Sequence, residues 1–432
     1  VMPPPMRIQH PELEKQISLV QKLLDDNVNV YYINFGGLYF ENFHVPEFLS
    51  VAALKGIKID IIEPYNAPVL LFTSHQLNQE TLVDLCNSCT QVMYFGQVAS
   101  ISSSMDAVPH SKCKQLIDSF YQQPKTFSLQ SNIIGDVWKH EQKLAALSQI
   151  QAASGFAAPK ADLTHPETHL QMIYDVQSDP TLFIFGFRLR DQKTPMRRFI
   201  QEYNLPKRQF LGPTSMDNEL AIIMCNLAHV APGALVYDPF CGTCSILIAA
   251  TSLGAQCVGG DFDIKILRGK TTTYVDSFQQ YKLPIPDLNW QDINKPAVFK
   301  ANTFDAIICD PPYQIRAGAR KSSGGKNDKF GEDCPVQSAK ELFLQLVKVA
   351  SKSLRVGGRL VFWLPVPLGE FDETDLIECT GMKIEWFPLQ KLSSKYGRRL
   401  ICYVKQSEEV GECHYLKEIV CFDKIRELVG LE

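Results

Sequence analysis

The chain reads FDAIICDPPY from Phe304 to Tyr313, and this stretch decides the fold class. The apolar run that leads to Asp310 predicts a buried strand. Pro311 and Pro312 have no backbone N–H to give to a neighbouring strand, so the strand is expected to end at this point. Ligands of parallel sheets bind beyond the carboxyl ends of the strands. Asp310 is therefore predicted to lie at a ligand-binding edge.

Strand and helix patterns alternate on both sides of this stretch, from about residue 205 onward. The predicted strands cover residues 235–237, 256–259, 304–309, 360–364, 383–387 and 400–404. The predicted helices cover residues 245–253 and 338–354, with another that ends near residue 279. Such alternation is typical of βαβ units and a parallel sheet. We therefore predict an α/β domain over residues 205–405.

The first 190 residues are less regular and predict a mixed α+β region. Strands are expected near 28–40, 69–72, 127–130 and 182–187, helices near 51–54 and 79–87, and a loop over 151–160. With 432 residues the chain is too long for one ordinary core, which suggests about two or three domains.

The composition excludes several classes of protein. Hydrophobic residues make up 45% and charged residues 21%, as in a globular chain, and no apolar run is long enough to span a membrane. We therefore expect no membrane association. The first seven residues lack the apolar core of a signal peptide and are interpreted as a frayed tail. Because the net charge is −4, nucleic-acid binding would need local basic patches.

Thirteen cysteines are scattered along the chain without a disulfide framework. This pattern fits a reducing compartment, and we predict a cytoplasmic protein. Two close pairs occur, Cys86 with Cys89 and Cys241 with Cys244. Because the pairs are far apart and have no histidine partners nearby, we predict small buried thiols and no bound metal.

A nucleotide-type binding loop follows the first strand of the α/β domain. Gly242 allows backbone N–H groups and a helix N-terminus to approach a ligand, and Asp238 can meet a positive or donor group. Asp261 ends the next strand about 20 residues later, where an acid accepts hydrogen bonds from ribose hydroxyls. Asp263 is the competing candidate, or caps the next helix. Asp292 is placed to accept from an adenine amino group, and an ordinary turn residue is the competing interpretation.

The tetrapeptide from Asp310 to Tyr313 is the most specific feature of the sequence. The Asp310 side chain and the carbonyls beside the two prolines present only acceptors, which suits a neutral –NH₂ group. Hydrogen bonds drawn from such an amine turn its nitrogen towards sp³ geometry and localise its lone pair for attack on a methyl sulfonium. Tyr313 offers a ring on which a planar base or amide can stack. A Pro-rich turn with a capping Asp is the alternative, and pattern alone leaves guanine, adenine and amide substrates open.

From about Arg198 to Val404 the chain resembles the catalytic subunit of the eukaryotic and archaeal tRNA guanine-10 N2-methyltransferases. The matching stretches are FLGPTSMD at 210–217, DPF at 238–240, GDFD at 260–263, DPPY at 310–313 followed by Ile315-Arg316, GGRLVFWLP at 357–365, LSS at 392–394 and RRL at 398–400. A weaker similarity to the same family covers residues 44–48 and 161–166 in the N-terminal half.

The resemblance implies a class I, Rossmann-like methyltransferase with a mostly parallel seven-stranded sheet, preceded by an α+β region that contains a THUMP domain. The implied divisions are a ferredoxin-like region over 1–110, a THUMP-like RNA-binding domain over 111–192, the methyltransferase domain over 205–405, and a C-terminal tail with a helix over 406–432. The implied cofactor is S-adenosyl-L-methionine, and the implied reaction is methylation of the N2 amino group of guanosine 10 in tRNA. The family also implies a small zinc-binding activator protein as partner.

The resemblance assigns roles to individual residues. The implied catalytic residues are Asp310, Pro311, Pro312 and Tyr313. The implied cofactor-binding residues are Thr214, Ser215, Asp238, Phe240, Gly242, Asp261 and Asp292. Three basic groups are then placed to hold tRNA phosphates, namely Lys193, Arg197, Arg198, Lys207 and Arg208; Arg316, Arg320, Lys321 and Lys326; and Lys391, Lys395, Arg398 and Arg399. The substrate-binding residues among them are Arg316, Arg320, Lys321, Arg398 and Arg399. A solvated face is the ordinary interpretation of any one such run.

Two positions depart from the family pattern. The family loop usually ends in Gly-Thr-Gly, whereas this chain has Cys244, whose side chain could crowd the methionine part of the cofactor. The family usually has Gly after the tetrapeptide, whereas this chain has Gln314. Three functions stay open: an active tRNA guanine N2-methyltransferase, which we favour because the key acids and the tyrosine remain; an adenine N6-methyltransferase, which would lack a THUMP-like half; and a tRNA-binding homologue that has lost catalysis.

Overall fold

A computed structural model describes most of the chain. The described residues are 8–9, 12–36, 40–65, 67–105, 126–154, 160–189, 200–212, 215–263, 269, 271–295, 299–312, 338–409, 411–418 and 420–421. The chain divides into two compact units, one of residues 1–41 with 55–195 and one of residues 42–54 with 196–432. Within the described ranges, every helix is too short or too polar to cross a lipid bilayer.

Helices and strands alternate irregularly up to residue 188. In chain order they are β1 (Ile8–Gln9), α1 (Leu13–Asp25), β2 (Val30–Phe35), α2 (Glu41–Leu54), β3 (Asp60–Ile61), β4 (Val69–Thr73), α3 (Gln79–Asn87), β5 (Val92–Ser102), β6 (Phe127–Ile134), α4 (His140–Ser154), β7 (Thr168–Asp175), β8 (Ser178–Asp179) and β9 (Leu182–Arg188). Except for α2, all of them lie in the first unit.

One seven-stranded sheet organises the first unit, with the strand order β3-β4-β2-β5-β9-β7-β6. Strands β5 and β9 are antiparallel neighbours, paired from Gly96 with Arg188 to Ser102 with Phe183. Strand β5 comes from the predicted ferredoxin-like region and β9 from the predicted THUMP-like domain. The two predicted regions therefore share a single sheet, and their division near residue 110 stays a prediction.

Two boundaries in this half differ from the sequence expectation. Helix α4 continues to Ser154, so the predicted loop over 151–160 is wrong for its first four residues. Glutamine and alanine, which fill this end of the helix, are good helix formers. Strand β2 ends at Phe35, so the predicted strand over 28–40 is too long. Residues 37–39 and 155–159 lie outside the described residues.

Helix α2 packs within the second unit although it comes from the N-terminal half. Glu47 is fully buried, and its Oε1 accepts a hydrogen bond of 2.8 Å from Nδ2 of Asn226. The ring of Phe43 lies 5.9 Å, centroid to centroid, from that of Trp363. A buried carboxylate with a hydrogen-bond donor and an aromatic contact tie this helix to the α/β domain.

The second unit continues with the remaining elements. They are α5 (Asn218–Leu227), β10 (Leu235–Asp238), α6 (Ser245–Ser252), β11 (Gln256–Asp261), α7 (Tyr274–Gln280), β12 (Asp287–Trp290), β13 (Phe304–Cys309), α8 (Ala339–Ser353), β14 (Leu354–Pro367), β15 (Ile377–Cys379), β16 (Met382–Trp386), β17 (Leu389–Lys391), β18 (Tyr396–Lys405) and β19 (Cys413–Tyr415), with 3₁₀ turns at Leu205–Lys207 and Glu373–Asp375.

The central sheet of the second unit follows the order β12-β11-β10-β13-β14-β18-β16, and β17 pairs with β18 as an eighth strand. The strands from β12 to β14 are parallel, and β18 is antiparallel to β14. This confirms the predicted α/β, Rossmann-like class. The expected sheet had seven strands, and the short β17 adds an eighth. The order reverses at β10, which has β11 on one side and β13 on the other. Such a reversal opens a crevice for a ligand at the carboxyl ends of the strands.

Helix α8 covers one face of this sheet. The side chain of Ser338 accepts a hydrogen bond from the Glu341 N–H and caps the first turn. The buried side chains Leu342, Phe343, Leu346, Val347 and Ala350 recur at helical spacing and join the core of β13 and β14. The predicted helix over 338–354 is confirmed.

The C-terminal segment returns to the domain as a strand. Strand β19 pairs antiparallel with β15, and Cys413 lies opposite Cys379, to which it is disulfide-bonded. The expectation of cysteines without disulfides is wrong at this pair, because a separation of 34 residues hides a contact that only strand pairing creates. Cys86, Cys89, Cys241 and Cys244 are buried thiols, as predicted. The described part of the predicted tail over 406–432 holds this strand, and residues 422–432 lie outside the described residues.

Candidate active site

Three carboxylates converge at the carboxyl edge of the central sheet. Asp261 ends β11, Asp238 ends β10, and Asp310 follows β13, and these strands are neighbours in this order. Burial raises the pKa of Asp238 well above its usual range, and the nearby Asp261 and Asp310 carboxylates raise it further. The edge therefore favours a ligand that brings positive charge or hydrogen-bond donors.

The loop between β10 and α6 is tied to the end of β11. The Gly242 N–H donates to Oδ2 of Asp261 over 2.8 Å, and the Cys241 N–H donates to the Gly260 carbonyl over 2.9 Å. The Phe240 N–H donates to Oδ1 of Asp238 over 3.0 Å. Gly242 has a φ of +47°, a conformation that glycine adopts without steric cost. Hydrogen bonds to the side chains of Asp238 and Asp261 therefore help to hold this loop in its conformation.

Asp261 is better placed than Asp263 to hold a ribose. Its Oδ1 accepts from the Asp263 N–H over 2.8 Å, and its Oδ2 accepts from Gly242. A carboxylate offers about four acceptor positions. Since the Phe262 backbone N–H also contributes a hydrogen bond, about one position remains for a ligand hydroxyl. Burial raises the pKa of Asp261, while these backbone hydrogen bonds lower it. Asp263 is exposed and contributes its backbone N–H to this arrangement.

Asp292 is buried and forms a turn. Its Oδ1 accepts from both the backbone N–H and the side-chain Nδ2 of Asn294, over 2.9 and 3.0 Å. These hydrogen bonds are typical of an ordinary turn residue, and contact between Asp292 and an adenine stays a prediction. Sequence reasoning missed Trp290, which pairs with Asp261 at the carboxyl end of β12 and is 43% exposed. Its Nε1 donates to the Phe262 carbonyl over 2.8 Å, so a flat ring lies beside Asp261, the acid that is predicted to bind ribose.

Ser215 joins the segment ahead of α5 to the cofactor loop. Its hydroxyl lies 2.7 Å from Oγ1 of Thr243 and accepts from the Gly212 N–H over 2.9 Å. Ser215 therefore lies against the predicted cofactor loop. Thr214 lies outside the described residues.

Arg208 is buried, which corrects its assignment to a basic surface group. Its Nη1 donates to Oγ of Ser245, the first residue of α6, over 2.6 Å, and its Nη2 donates to the Tyr203 carbonyl over 3.3 Å. Burial lowers the pKa of this arginine. Because Lys207 next to it is basic and exposed, the sequence suggested a basic surface at both positions. The fold shows instead that Arg208 is hydrogen-bonded to the start of α6.

Asp310 has one engaged oxygen and one unengaged oxygen. Its Oδ2 lies 3.5 Å from Nη1 of Arg398. Its Oδ1 is buried and has no hydrogen-bond partner among the residues that the structure describes. Burial raises the pKa of Asp310 to about 6, against the lowering effect of Arg398. A buried acceptor without a donor costs free energy, so this atom points to a ligand that donates a hydrogen bond.

The rest of the predicted catalytic loop is described only in part. Strand β13 ends at Cys309, and Pro311 and Pro312 follow it outside the ladder, as predicted. The positions outside the described residues are Tyr313, Gln314, Arg316, Arg320, Lys321 and Lys326.

Arg398 and Arg399 do not form one exposed phosphate-binding patch. Consecutive residues of a strand point to opposite faces of the sheet, so their side chains separate. The Arg398 side chain is 13% exposed and lies 4.0 Å from the ring of Trp363. Arg399 donates from Nη1 to the Phe387 carbonyl over 2.8 Å, and its guanidinium lies 4.1 Å from the ring of Phe371. Both guanidinium groups are engaged by the protein itself.

Cys244 is fully buried and has a φ of +63° at the start of α6. A side chain that crowded a cofactor would be exposed in the crevice, whereas this thiol is enclosed by protein. Cys244 stands where the family usually has glycine, and residues other than glycine rarely adopt a positive φ. The cost of this difference is therefore strain in the backbone at Cys244.

Replacing Cys244 with Gly is expected to change the Kd for S-adenosylmethionine, the cofactor that the resemblance implies, by less than about threefold, since the buried side chain is outside the crevice. Isothermal titration calorimetry on both proteins measures this. A gain in affinity of tenfold or more in C244G would show that Cys244 does crowd the cofactor. Ser245→Gly, one residue along, is the comparison variant, and it is expected to lower stability because it removes a hydrogen-bond partner of Arg208.

The sheet order, the reversal at β10 and the acidic edge define a class I methyltransferase, whose cofactor is S-adenosylmethionine. A protein-family profile described as "RMKL-like, methyltransferase domain" matches residues 206–365. The chain belongs to the tRNA (guanine(10)-N2)-methyltransferase family. It is 30% identical to the tRNA (guanine(10)-N(2))-methyltransferase TRMT11 of Dictyostelium discoideum over 433 residues, which cover 89% of this chain and 83% of that protein.

Other relatives match over a shorter range. TRMT11 of Mus musculus is 34% identical over 288 residues, which cover 58% of this chain and 60% of the mouse protein. TRMT11 of Xenopus laevis is 35% identical over 291 residues, which cover 60% of each chain. Among solved structures, TrmN from Thermus thermophilus aligns over 88% of this chain and 99% of its own, with 16% identity and a TM-score of 0.42.

The described residues fit S-adenosylmethionine. The cofactor carries ribose hydroxyls, which are hydrogen-bond donors, and positively charged sulfonium and ammonium groups. Asp261 retains an acceptor position for the ribose, and Asp238 is a buried carboxylate that a cation stabilises. When bound, the cofactor supplies an electrophilic methyl group.

Proposed function

We propose that this chain methylates the N2 amino group of guanosine 10 in tRNA. The observation that carries the proposal is the buried, unpartnered Oδ1 of Asp310, among the described residues, at the carboxyl edge of β13. An exocyclic amino group is a neutral donor, and it satisfies this acceptor. The names of the relatives support guanine in tRNA as the substrate, since a carboxylate acceptor alone suits guanine and adenine equally.

Asp310 orients the amino nitrogen and receives its proton. A hydrogen bond from N2–H to Oδ1 draws the nitrogen out of conjugation with the ring and directs its lone pair at the methyl carbon. S-adenosylmethionine, when bound, would supply the methyl group that this nitrogen accepts. The nitrogen then carries a positive charge and is a strong acid. A carboxylate whose pKa is about 6 accepts its proton without any stronger base.

The target base has to leave its stack to reach this edge. Extrusion of a nucleotide costs a few kcal/mol, which phosphate contacts elsewhere offset. Lys391 and Lys395 are exposed near the ends of β17 and β18 and are suited to such contacts. They are the exposed members of this predicted phosphate-binding group, whereas Arg398 and Arg399 form contacts within the protein.

The proposal includes a partner and a location. The resemblance to the family implies a small zinc-binding activator protein. A cytoplasmic location is proposed because most of the described cysteines are free thiols, although Cys379 and Cys413 are bonded. Co-expression of the chain with the activator, followed by size-exclusion chromatography, tests the pairing. Separate elution of the two proteins would contradict it.

Methylation of unmodified tRNA tests the function directly. Purified protein with the activator, tRNA and S-adenosylmethionine is expected to yield N2-methylguanosine, detected by mass spectrometry of nucleosides. A tRNA with inosine at position 10, which has no N2 amino group, is the control and is expected to remain unmethylated. A product found only as N6-methyladenosine, or no product, would contradict the proposal.

The rate of methyl transfer is expected to fall as the pH drops below about 6, by about tenfold per pH unit at the limit. The physical reason is that protonation removes the charge of Asp310 and turns one of its oxygens into a donor. Because burial raises the pKa of this group, the loss occurs at a higher pH than for an exposed Asp. Single-turnover rates between pH 5 and pH 8 measure it. A rate independent of pH over this range would show that ionised Asp310 is not required.

A further inference from the structure

We propose that Arg398 is a positioning residue for methyl transfer, which holds Oδ2 of Asp310 so that Oδ1 faces the reacting amino group. This inference rests on the proposed function. It assigns Arg398 to the reacting centre rather than to the tRNA backbone.

The two oxygens of the Asp310 carboxylate have different surroundings. Nη1 of Arg398 lies 3.5 Å from Oδ2 of Asp310, and the side chains are 13% and 27% exposed. The other oxygen, Oδ1, is buried and unpartnered within the described part of the chain. A carboxylate anchored by one oxygen cannot turn freely, so its second oxygen keeps one direction. Preorganised acceptors of this kind cost no reorganisation when charge develops in the reaction.

Arg398 is itself held on two sides. Its Nε donates to Oε1 of Gln390 over 2.7 Å, and Gln390 is buried at the paired position of β17. Its guanidinium stacks 4.0 Å from the ring of Trp363, which is fully buried in β14. Phe43 of α2 packs against the same indole, so helix α2 supports the position of the Trp363 ring. A guanidinium held by a hydrogen bond and an aromatic ring keeps its orientation at little entropic cost.

The charges around Asp310 make Arg398 its counter-ion. Asp310 interacts electrostatically with Asp238 on the neighbouring strand β10 and with the adjacent Cys309 thiol at the end of β13. Among the described residues, Arg398 on β18 is the charged group that lowers the pKa of Asp310, against the effect of burial. Removing the guanidinium would leave a partly buried carboxylate without its counter-ion and beside another acid, which shifts the carboxylate towards its protonated form.

A second arginine–aspartate ion pair lies at the other end of β13 and joins it to β14. Arg355, at the start of β14, lies 2.5 Å from Asp305, at the start of β13, and its side chain is 64% exposed. This pair is remote from the carboxyl edge, where ligands bind. Arg355→Met therefore controls for the loss of an arginine–aspartate contact on β13.

The test compares Arg398→Met, Arg398→Lys and Arg355→Met with the wild type in complex with the activator. For Arg398→Met, kcat at pH 7.5 is expected to fall at least about tenfold, and the acid limb of the pH–rate profile to move up by about one unit or more. KM for tRNA is expected to stay within threefold. Arg398→Lys keeps the charge, so its acid limb is expected near that of the wild type while kcat falls. Arg355→Met is expected to retain the wild-type profile.

The outcomes separate the two proposals. A raised KM for tRNA with an unmoved acid limb and an unchanged kcat would assign Arg398 to phosphate binding and overturn the inference. A wild-type enzyme that makes no N2-methylguanosine would contradict the proposed function itself. If Arg398→Met does not fold, Gln390→Leu replaces it, since it removes the Nε partner and leaves both charges. A several-fold lower kcat at unchanged KM for tRNA is then expected, and a wild-type kcat would overturn the inference.

Discussion

Replacing Asp310 with Asn is expected to reduce the rate of methyl transfer by about 10³-fold or more, with binding of S-adenosylmethionine nearly unchanged. The amide is the same size as the carboxylate but carries an NH₂ group. Whichever way it turns, it lacks the charge that accepts the proton. If it turns its NH₂ towards the substrate, two donors meet. Loss of one preorganised group of this kind typically costs about 10²–10³ in rate, and the opposed donor adds to it.

The stability of D310N distinguishes a catalytic loss from unfolding. Burial raises the pKa of Asp310 above its usual range, so the folded state disfavours the ionised carboxylate at neutral pH. That unfavourable contribution diminishes as the pH falls from about 6 to the usual pKa range of an Asp and is absent below it, because a raised folded pKa favours the protonated form. The neutral amide is therefore expected to keep or increase the free energy of unfolding.

The measurement combines single-turnover kinetics, calorimetric titration of the cofactor and thermal unfolding. Asp287→Asn is the matched control, because Asp287 is an exposed acid at the amino end of β12, remote from the carboxyl edge. It is expected to retain the wild-type rate. A D310N rate within tenfold of the wild type would remove Asp310 from the centre of the mechanism.

Replacing Asp261 with Ala is expected to weaken binding of S-adenosylmethionine by about 100-fold or more. Two effects combine. The ribose loses a charged acceptor, and hydrogen bonds to charged groups contribute about 1.5–3 kcal/mol each. The Gly242 and Asp263 N–H groups also lose their acceptor, so the loop that approaches the cofactor is no longer held.

Asp263→Ala separates these roles by the same titration. Asp263 is exposed, and its backbone N–H, which the substitution keeps, is the group that contacts Asp261. We expect a change in Kd of less than about threefold, because an exposed side chain outside the contact contributes little. Equal losses in the two variants would mean that Asp261 has no special role. A larger loss in Asp263→Ala would move the ribose-binding site to the competing acid.

The sequence determined the features that depend on neighbouring residues. The apolar run before Asp310 predicted β13, and the two prolines predicted its end, because both signals are local. The acids at 238 and 261 could be placed at the same edge, since successive strands of βαβ units are parallel and their carboxyl ends meet. The α/β class of the domain, and the predicted position of a ligand-binding edge at Asp310, followed from these patterns alone.

The tertiary structure decided which side chains face one another across the domain. Asp310 and Arg398 are 88 residues apart, and their contact depends on β18 running antiparallel beside β14. The pairing of Cys379 with Cys413, the burial of Arg208 and the packing of Phe43 on Trp363 have the same origin. The sequence shows that an arginine is present, but the pairing of the strands decides which face of the sheet its side chain lies on. The unengaged oxygen of Asp310 is therefore a property of the folded chain.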